Sequence, residues 1–92
     1  MRINNHVTIV RSTKPVETTV GNEVVLMTLD TGECLGLGDT GSEVWRLLAN
    51  PTQLGPVIAS LSETYQAPPG VIEQDVIELL EQFLDRNLIE LQ

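Results

Sequence analysis

Short apolar runs broken by turn residues dominate the first part of the chain, and longer runs with helical spacing dominate the rest. Residues 23–29 and 33–37 are two short runs, and the tripeptide Asp-Thr-Gly between them supplies an Asp that favours turns and a Gly that accepts a positive φ. The pattern predicts a β-hairpin. Residues 6–11 predict another strand, and the polar connection that follows is expected to hold an extended piece around residues 17–20.

The second strand of this hairpin is expected to form an open sheet edge. It is short, contains Gly36 and ends at Gly38-Asp39, so few side chains shield its backbone. Unpaired N–H and C=O groups along such an edge can accept a strand from another chain. Pairing with residues 6–11 would close the edge, whereas a meander in chain order would leave it free.

The first two helices are marked by their end signals. Thr40 followed three residues later by Glu43 predicts a capping box at the start of the first helix, and Pro51 predicts its end. A second helix is expected to begin near Thr52 or near Pro56. It is expected to end at the proline-rich break over residues 66–70.

The third predicted helix, over residues 71–86, is the longest and carries two apolar stripes side by side. The stripes consist of Ile72, Val76, Leu79 and Phe83, and of Ile77, Leu80 and Leu84. Residues 88–91 are expected to close the chain as a short extended or frayed segment. Residues 1–5 are expected to be loose.

The doubled stripe has two interpretations. A wide apolar face in a small domain ordinarily contacts both the sheet and the other helices, and this reading stays open. In the alternative, residues 33–37 form one wall of a groove, and the other wall is formed by Val76, Leu79, Leu80 or Phe83. Such a groove suits an added peptide strand, because backbone pairing supplies affinity and side-chain pockets supply specificity.

The order of elements predicts an α+β fold, with a three-stranded antiparallel sheet followed by three helices in a winged-helix-like arrangement. Ninety-two residues allow one modest core. We therefore expect a single domain over residues 1–92, with its core from about residue 7 to residue 91.

The charge balance argues against a nucleic-acid partner. Five basic residues stand against 13 acidic ones, which gives a net charge of −8. From residue 41 onward, Arg46 and Arg86 are the only basic residues, so this half would repel a phosphate backbone. Many of the acids are expected to be solvated helix positions.

The sequence offers no evident catalytic, metal or cofactor site. Cys34 is the single cysteine and His6 the single histidine, so neither a disulfide within the chain nor a Cys/His metal site is expected, and a reducing cytoplasm is favoured. A lone cysteine of this kind is more often a packing residue than a nucleophile. No apolar stretch approaches the length of a membrane span, and no secretory signal is expected.

Two other functions fit parts of the pattern. A winged-helix DNA-binding regulator shares the organisation, but its recognition helix should be basic where residues 71–86 are acidic. An acyl or peptidyl carrier protein fits the size and acidity, with Ser42 as the attachment point. Carrier proteins, however, are helical domains that need no hairpin.

The whole pattern resembles the PqqD-like fold, the precursor-peptide recognition element of ribosomally made and modified peptides (RiPPs). The closest likeness is to the stand-alone elements of lasso-peptide biosynthesis. The resemblance is carried by VVLMTLDTG at 24–32, CLGL at 34–37 and TG at 40–41, with VW at 44–45 and LL at 47–48. Tyr65, the pair at 68–69 and the apolar positions of residues 75–89 also fit.

The resemblance implies a non-catalytic protein that binds the leader of a precursor peptide. The implied partners are this leader and a leader peptidase of the cysteine-protease type, with an asparagine-synthetase-like cyclase as a further candidate. The leader would add as a strand along residues 34–37 and lean on the third helix. Together with the groove argument, the expected peptide-binding residues are Glu33, Cys34, Leu35, Gly36, Leu37, Asp75, Val76, Leu79, Leu80 and Phe83.

Overall fold

The structure is a computed structural model that describes residues 2–92, and its elements follow the order that the sequence predicts. They are β1 (Ile9–Arg11), β2 (Val16–Val20), β3 (Glu23–Thr28), β4 (Glu33–Gly36), α1 (Gly38–Leu47), α2 (Leu54–Thr64), α3 (Pro69–Asp85) and β5 (Ile89–Leu91). The predicted α+β class, with a three-stranded antiparallel sheet and three helices, is confirmed. No helix among the described residues is long and apolar enough to cross a membrane.

The three-stranded sheet is a meander in the order β2-β3-β4. Its central strand buries Val24 and Leu26, while Met27 on the other face is exposed, which is the alternation expected of a sheet covered on one side. The predicted turn is present, with Gly32 at φ 71°. The third strand is residues 16–20, expected only as an extended piece, so residues 6–11 do not cover β4.

The second sheet pairs the two ends of the chain, since β1 lies antiparallel to β5 with Val10 opposite Glu90. Ile9 and Ile89 are both buried in this pair. Of the two alternatives expected for residues 88–91, extended or frayed, the structure has the extended one, because burial of the apolar residues at the chain end fixes them in a strand. The two strands lie far apart in the sequence, so no local pattern predicts that they pair.

The first helix does not begin with the predicted capping box. It begins at Gly38, after Leu37 as the N-cap residue, and the Leu37 side chain makes no capping hydrogen bond. Gly38 has φ 71°, and its N–H donates to Glu23 Oε1 at 2.9 Å. Thr40 and Glu43 therefore lie within the helix, and Glu43 pairs with Arg46 one turn later.

The core lies between the inner face of the meander, the three helices and the β1-β5 pair. On α3 the buried residues are Ile72, Val76, Leu80 and Phe83, whereas Ile77, Leu79 and Leu84 are half-buried. The first predicted stripe is therefore mostly buried and the second mostly half-buried, although each stripe contains residues of both kinds.

The N-terminal segment packs against α3 rather than lying loose. Ile3 is 2% exposed, and the guanidinium of Arg2 contacts Glu81 and Asp85 at 2.6 Å each. The expectation of a loose segment over residues 1–5 was therefore wrong for Arg2 and Ile3, and residue 1 lies outside the described residues. The buried core also begins earlier than the expected residue 7.

Candidate functional site

The outer side of β4 presents unpaired backbone. Leu37 N–H donates to Val24 C=O at 3.0 Å, and in an antiparallel pair the residues that bond to the neighbour alternate. The N–H and C=O groups of Cys34 and Gly36 therefore point away from β3. Within residues 2–92 no strand pairs with this side of β4, so the open edge expected from the sequence is present.

A narrow cleft of about 110 Å³ separates this edge from α3. We call it the edge cleft, and it is lined by Leu35, Gly36, Leu37, Leu79, Gln82, Phe83 and Arg86. The end of α3 lies at the start of β4, because Arg86 Nη1 is 3.3 Å from Glu33 Oε2. The helix therefore runs antiparallel to the strand.

Gly41 allows the first turn of α1 to approach the far end of the edge cleft. A Cβ atom at this position would lie 3.1 Å from Leu37 Cβ and 4.0 Å from Leu79 Cδ1, and the former distance is closer than ordinary packing allows. Glycine at position 41 thus leaves room for Leu37 and Leu79 beside the first turn of α1.

The expected peptide-binding residues occupy three different environments. Exposed members are Glu33, Cys34, Gly36 and Asp75; half-buried members are Leu35, Leu37 and Leu79; buried members are Val76, Leu80 and Phe83. Five of them line the edge cleft, while Val76 and Leu80 lie in the core beneath it. Glu33 and Asp75 lie beyond opposite ends of the cleft.

Sequence reasoning missed two cleft residues, Gln82 and Arg86. They follow Leu79 at three and seven positions, a spacing that places all three on one face of α3. Helical periodicity could therefore have found them. They lie outside the set expected on this helix, which consists of Asp75 and apolar positions.

Two further depressions continue the edge cleft. One of about 330 Å³ lies at the hairpin turn, where Glu33 and Arg86 meet Lys14 and Asp30. The other, of about 170 Å³, lies beyond Leu79 and is lined by Thr40, Leu61, Tyr65, Ala67, Ile72 and Asp75. A chain lying along β4 would pass from a mixed-charge end to an apolar pocket with an acidic rim.

The opposite edge of the meander, on β2, carries an inward-pointing charge. Glu17 of β2 accepts a hydrogen bond from Trp45 Nε1 at 2.7 Å, and Arg11 Nη1 lies 3.4 Å from the same carboxylate. The Arg11 guanidinium also lies over the indole, 4.4 Å from its centroid. Such inward charges discourage strand addition, so β4 is the better template.

The side chains considered for other chemistry do not form a site. Ser42 is fully buried, and its Oγ accepts the Val24 N–H at 2.8 Å, so it cannot serve as a carrier attachment point. Cys34 is exposed, contrary to the packing role expected of it, because it faces away from the core. No group of His, Cys, Asp and Glu in the described part of the chain could hold a metal ion.

The third helix presents acids to the surroundings. Glu73, Asp75 and Glu78 are all exposed along it. A helix that enters a DNA groove must be attracted to phosphates, so this surface does not suit a winged-helix DNA-binding protein.

Comparison with known proteins gives both a family and a fold. Residues 23–89 match the family model described as coenzyme PQQ synthesis protein D (PqqD). The chain is similar to TbiB1 in complex with the TbiA(beta) leader peptide, with 27% identity, a TM-score of 0.82 and coverage of 88% of this chain and 94% of that one. It also has the fold of lasso peptide synthetase B1 complexed with the leader peptide, with 17% identity, a TM-score of 0.80 and coverage of 89% and 96%. No curated protein matches the sequence.

Proposed function

The chain belongs to the PqqD family, as a PqqD-like RiPP recognition element, and from this premise we propose that it binds the leader of a ribosomally made precursor peptide without catalysing a reaction. The observation that carries the proposal is the open edge of β4 beside the edge cleft. The two similar structures, each solved as a complex with a leader peptide, support the same class of ligand.

The leader adds to the sheet as a strand beside β4. Cys34 and Gly36 each offer one N–H and one C=O toward the new strand. Because each such hydrogen bond contributes only about 0.5–1.5 kcal/mol net, backbone pairing alone gives weak and unselective binding. Specificity must come from side chains that the leader places in the edge cleft.

The edge cleft suits a peptide side chain better than a small molecule. Its volume of about 110 Å³ lies below the range of about 300–1,000 Å³ typical of small-molecule pockets. A leader side chain seated there would contact the half-buried Leu35 and Leu79 together with the polar side chains of Gln82 and Arg86. Burial of its apolar part would contribute up to about 1.5–3 kcal/mol. The proposed contact residues are those expected from the sequence that line the cleft, with Gln82 and Arg86 added and Val76 and Leu80 acting as support from the core.

The proposal extends to the context in which the leader is used. As in lasso-peptide biosynthesis, the bound leader would be presented to a leader peptidase of the cysteine-protease type, and the core peptide would then pass to an asparagine-synthetase-like cyclase. Both steps follow synthesis on the ribosome, which favours a cytoplasmic site. The domain assignment, residues 1–92, is part of the same proposal.

Amide hydrogen exchange followed by NMR tests strand addition directly. The probe is a synthetic peptide with the leader sequence of the precursor encoded beside this gene. Exchange at the Cys34 and Gly36 amides is expected to slow on binding, because their N–H groups become hydrogen-bonded. Glu17 and Thr19 are the matched controls, since the β2-β3 register points their amides to the opposite edge.

Two results would count against this proposal. Slowed exchange at Glu17 and Thr19 with none at Cys34 and Gly36 would place the leader on the wrong edge. Absence of any change in the spectrum at high peptide concentration would remove leader binding itself.

A further inference from the structure

A depression at the beginning of β4 adjoins the edge cleft. It has a volume of about 330 Å³ and lies between the hairpin turn, residues 85–88 at the end of α3, and the Lys14-Pro15 segment before β2. We call it the hairpin depression. Arg86 lines both this depression and the edge cleft. A chain that occupies the edge cleft can therefore enter the hairpin depression without leaving the protein surface.

Lys14, the only lysine of the chain, is the unpaired base of the hairpin depression. Each of the four arginines forms an ion pair, and Arg86 does so within the depression, 3.3 Å from Glu33. Among residues 2–92 no acid forms an ion pair with Lys14, whose side chain is exposed. A solvated lysine is ordinary on a convex surface, but this one lines a concave site, where its ammonium group is free to bind an anion.

The strand register locates Lys14 relative to the open edge. Met27 lies opposite both Val16 and Cys34, so Val16 is level with Cys34, and Lys14 lies near the level of the turn that precedes β4. Two strand spacings separate β2 from β4, and a strand added to β4 would lie one spacing further out. At about 4.8 Å per spacing the total is about 14 Å, which about four residues of extended chain can cover.

The direction of the added strand decides which part of the precursor reaches the hairpin depression. Both strand pairs of the meander are antiparallel, and antiparallel pairing is the more stable arrangement per residue, so the leader is expected to run antiparallel to β4. Its C-terminal end then lies beside Glu33, at the start of β4. The segment that continues toward the core peptide therefore leaves the sheet at the hairpin depression.

The surrounding charges decide which kind of anion can bind Lys14. The depression is also lined by Asp30, Glu33 and Asp85, and the chain has a net charge of −8, so a small free anion would be repelled. A carboxylate carried by the bound precursor is in a different position. The strand paired with β4 holds it beside the depression at a high effective concentration, so even a weak contact is populated.

We infer that the hairpin depression binds the part of the precursor that follows the strand paired with β4, and that Lys14 donates hydrogen bonds to an acidic side chain about four residues beyond that strand. The inference rests on the proposed function and adds a second, charge-specific contact to it. The precursor is then held at two places, and the contact with Lys14 fixes the direction in which the segment before the core peptide leaves the protein.

The test compares two labelled synthetic peptides from the precursor encoded beside this gene by fluorescence anisotropy. One is the full leader, and the other ends at the residue that pairs with Glu33, which nuclear Overhauser contacts across the added strand identify. Both are titrated with wild type, with Lys14→Gln and with Arg46→Gln. Arg46 is the matched control, because its loss changes the net charge equally but it lies on α1 and lines neither the edge cleft nor the hairpin depression.

We expect Lys14→Gln to bind the full leader about three- to fivefold more weakly than wild type, the range of an exposed ion pair, and to bind the short peptide as wild type does. Arg46→Gln should match wild type with both peptides. Replacement of the leader acid by its amide should cause the same loss in wild type and no further loss in Lys14→Gln. Lys14→Glu should regain affinity for a leader that carries lysine in place of this acid.

Three results would overturn the inference while leaving leader binding intact. One is equal affinity of wild type and Lys14→Gln for the full leader. Another is an equal loss with the short peptide or in Arg46→Gln, which would assign the effect to overall charge. The third is a leader with no acidic residue within about six positions after the paired strand, beyond the reach of extended chain to Lys14. Failure of wild type to bind the full leader would instead refute the proposed function itself.

Discussion

The indole of Trp45 meets the ring of Phe83 edge to face, with centroids 6.0 Å apart and ring planes at 86°. Both side chains are 2% exposed. Phe83 also lines the edge cleft, so this pair joins the wall of the cleft to the core. Glu17 holds the other side of the indole through its hydrogen bond to Nε1.

Replacement of Phe83 should therefore lower the free energy of unfolding, and any loss of leader binding would follow from that destabilisation. Phe83→Leu loses an aromatic contact worth about 0.5–1.5 kcal/mol, and Phe83→Ala also leaves a cavity, for a total cost of about 3–5 kcal/mol. Urea unfolding followed by the fluorescence of Trp45, the only tryptophan, measures both. Equal stability of Phe83→Leu and wild type would contradict the packing described.

Leu79 offers a cleaner test of the edge cleft than the buried residues of α3. Leu79→Ala removes a half-buried cleft side chain and should weaken leader binding about tenfold, which corresponds to about 1.4 kcal/mol. Leu84→Ala is the control, because Leu84 is half-buried on the same helix but does not line the cleft. Anisotropy titrations should separate the two variants, and equal losses would reject the cleft as the site.

The same comparison shows where sequence reasoning reaches its limit. Periodicity placed Val76, Leu79 and Phe83 on one stripe, but helical spacing gives only an angle around the axis. How deep each residue lies depends on what packs against it. Val76→Glu would bury a carboxylate in the core, so loss of binding by that variant would report unfolding rather than recognition.

Local signals predicted the hairpin, the three helices and the open edge. Pairing of β1 with β5 was missed because it joins residues about 80 positions apart, as Val10 opposite Glu90 shows. The capping box at Thr40 was wrong for a tertiary reason, since Glu23 on β3 accepts the Gly38 N–H and the N-cap residue is Leu37, three residues before Thr40. Ser42 likewise gave no sequence signal for its role, because its partner Val24 lies on another element.

Ser42 is expected to be a structural residue. Ser42→Ala leaves the buried Val24 N–H without an acceptor, which should cost about 1–3 kcal/mol. Chemical denaturation checks the loss, and Ser60→Ala on α2 is the control, since Ser60 is only half-buried. Intact mass after co-expression with a phosphopantetheinyl transferase should stay unchanged for the wild-type protein, and a mass gain on Ser42 would contradict its buried position.

The contact between Arg2 and Glu81 predicts a pH dependence of stability. Hydrogen bonding to the Arg2 guanidinium lowers the pKa of Glu81 below its ordinary value of 4.5. A carboxyl group whose pKa is lowered by folding stabilises the folded state above its unfolded pKa, and this contribution is lost as the pH falls through the folded value.

Wild type should consequently lose more thermal stability than Glu81→Gln between about pH 7 and about pH 3. Melting temperatures measured by circular dichroism check this, with Glu73→Gln as an exposed acid control on the same helix. Glu81 does not line the edge cleft, so leader affinity at neutral pH should be unchanged in Glu81→Gln. Parallel pH profiles for wild type and Glu81→Gln would contradict the predicted role of this contact.

The ion pair between Arg86 and Glu33 allows the contribution of charge to leader binding to be tested. Their ion pair joins α3 to β4 at the mouth of the edge cleft, with side chains 51% and 62% exposed. An ion pair this exposed contributes about 0–1 kcal/mol to stability. An acidic side chain of the leader that took the place of Glu33 beside Arg86 would contribute no more than this to the free energy of binding. Arg86→Gln should therefore change leader affinity by less than about fivefold, well below the effect of Leu79→Ala.

Salt provides an independent measurement of the same balance. Because exposed charges are screened within about 8 Å at physiological ionic strength, raising the salt concentration should weaken binding only slightly in wild type. If an acidic side chain of the leader contacts Arg86, leader affinity should depend less on salt concentration in Arg86→Gln than in wild type. A loss of about a hundredfold in salt, or on mutation of Arg86, would show that charge rather than contact with the leucine side chains of the edge cleft selects the leader.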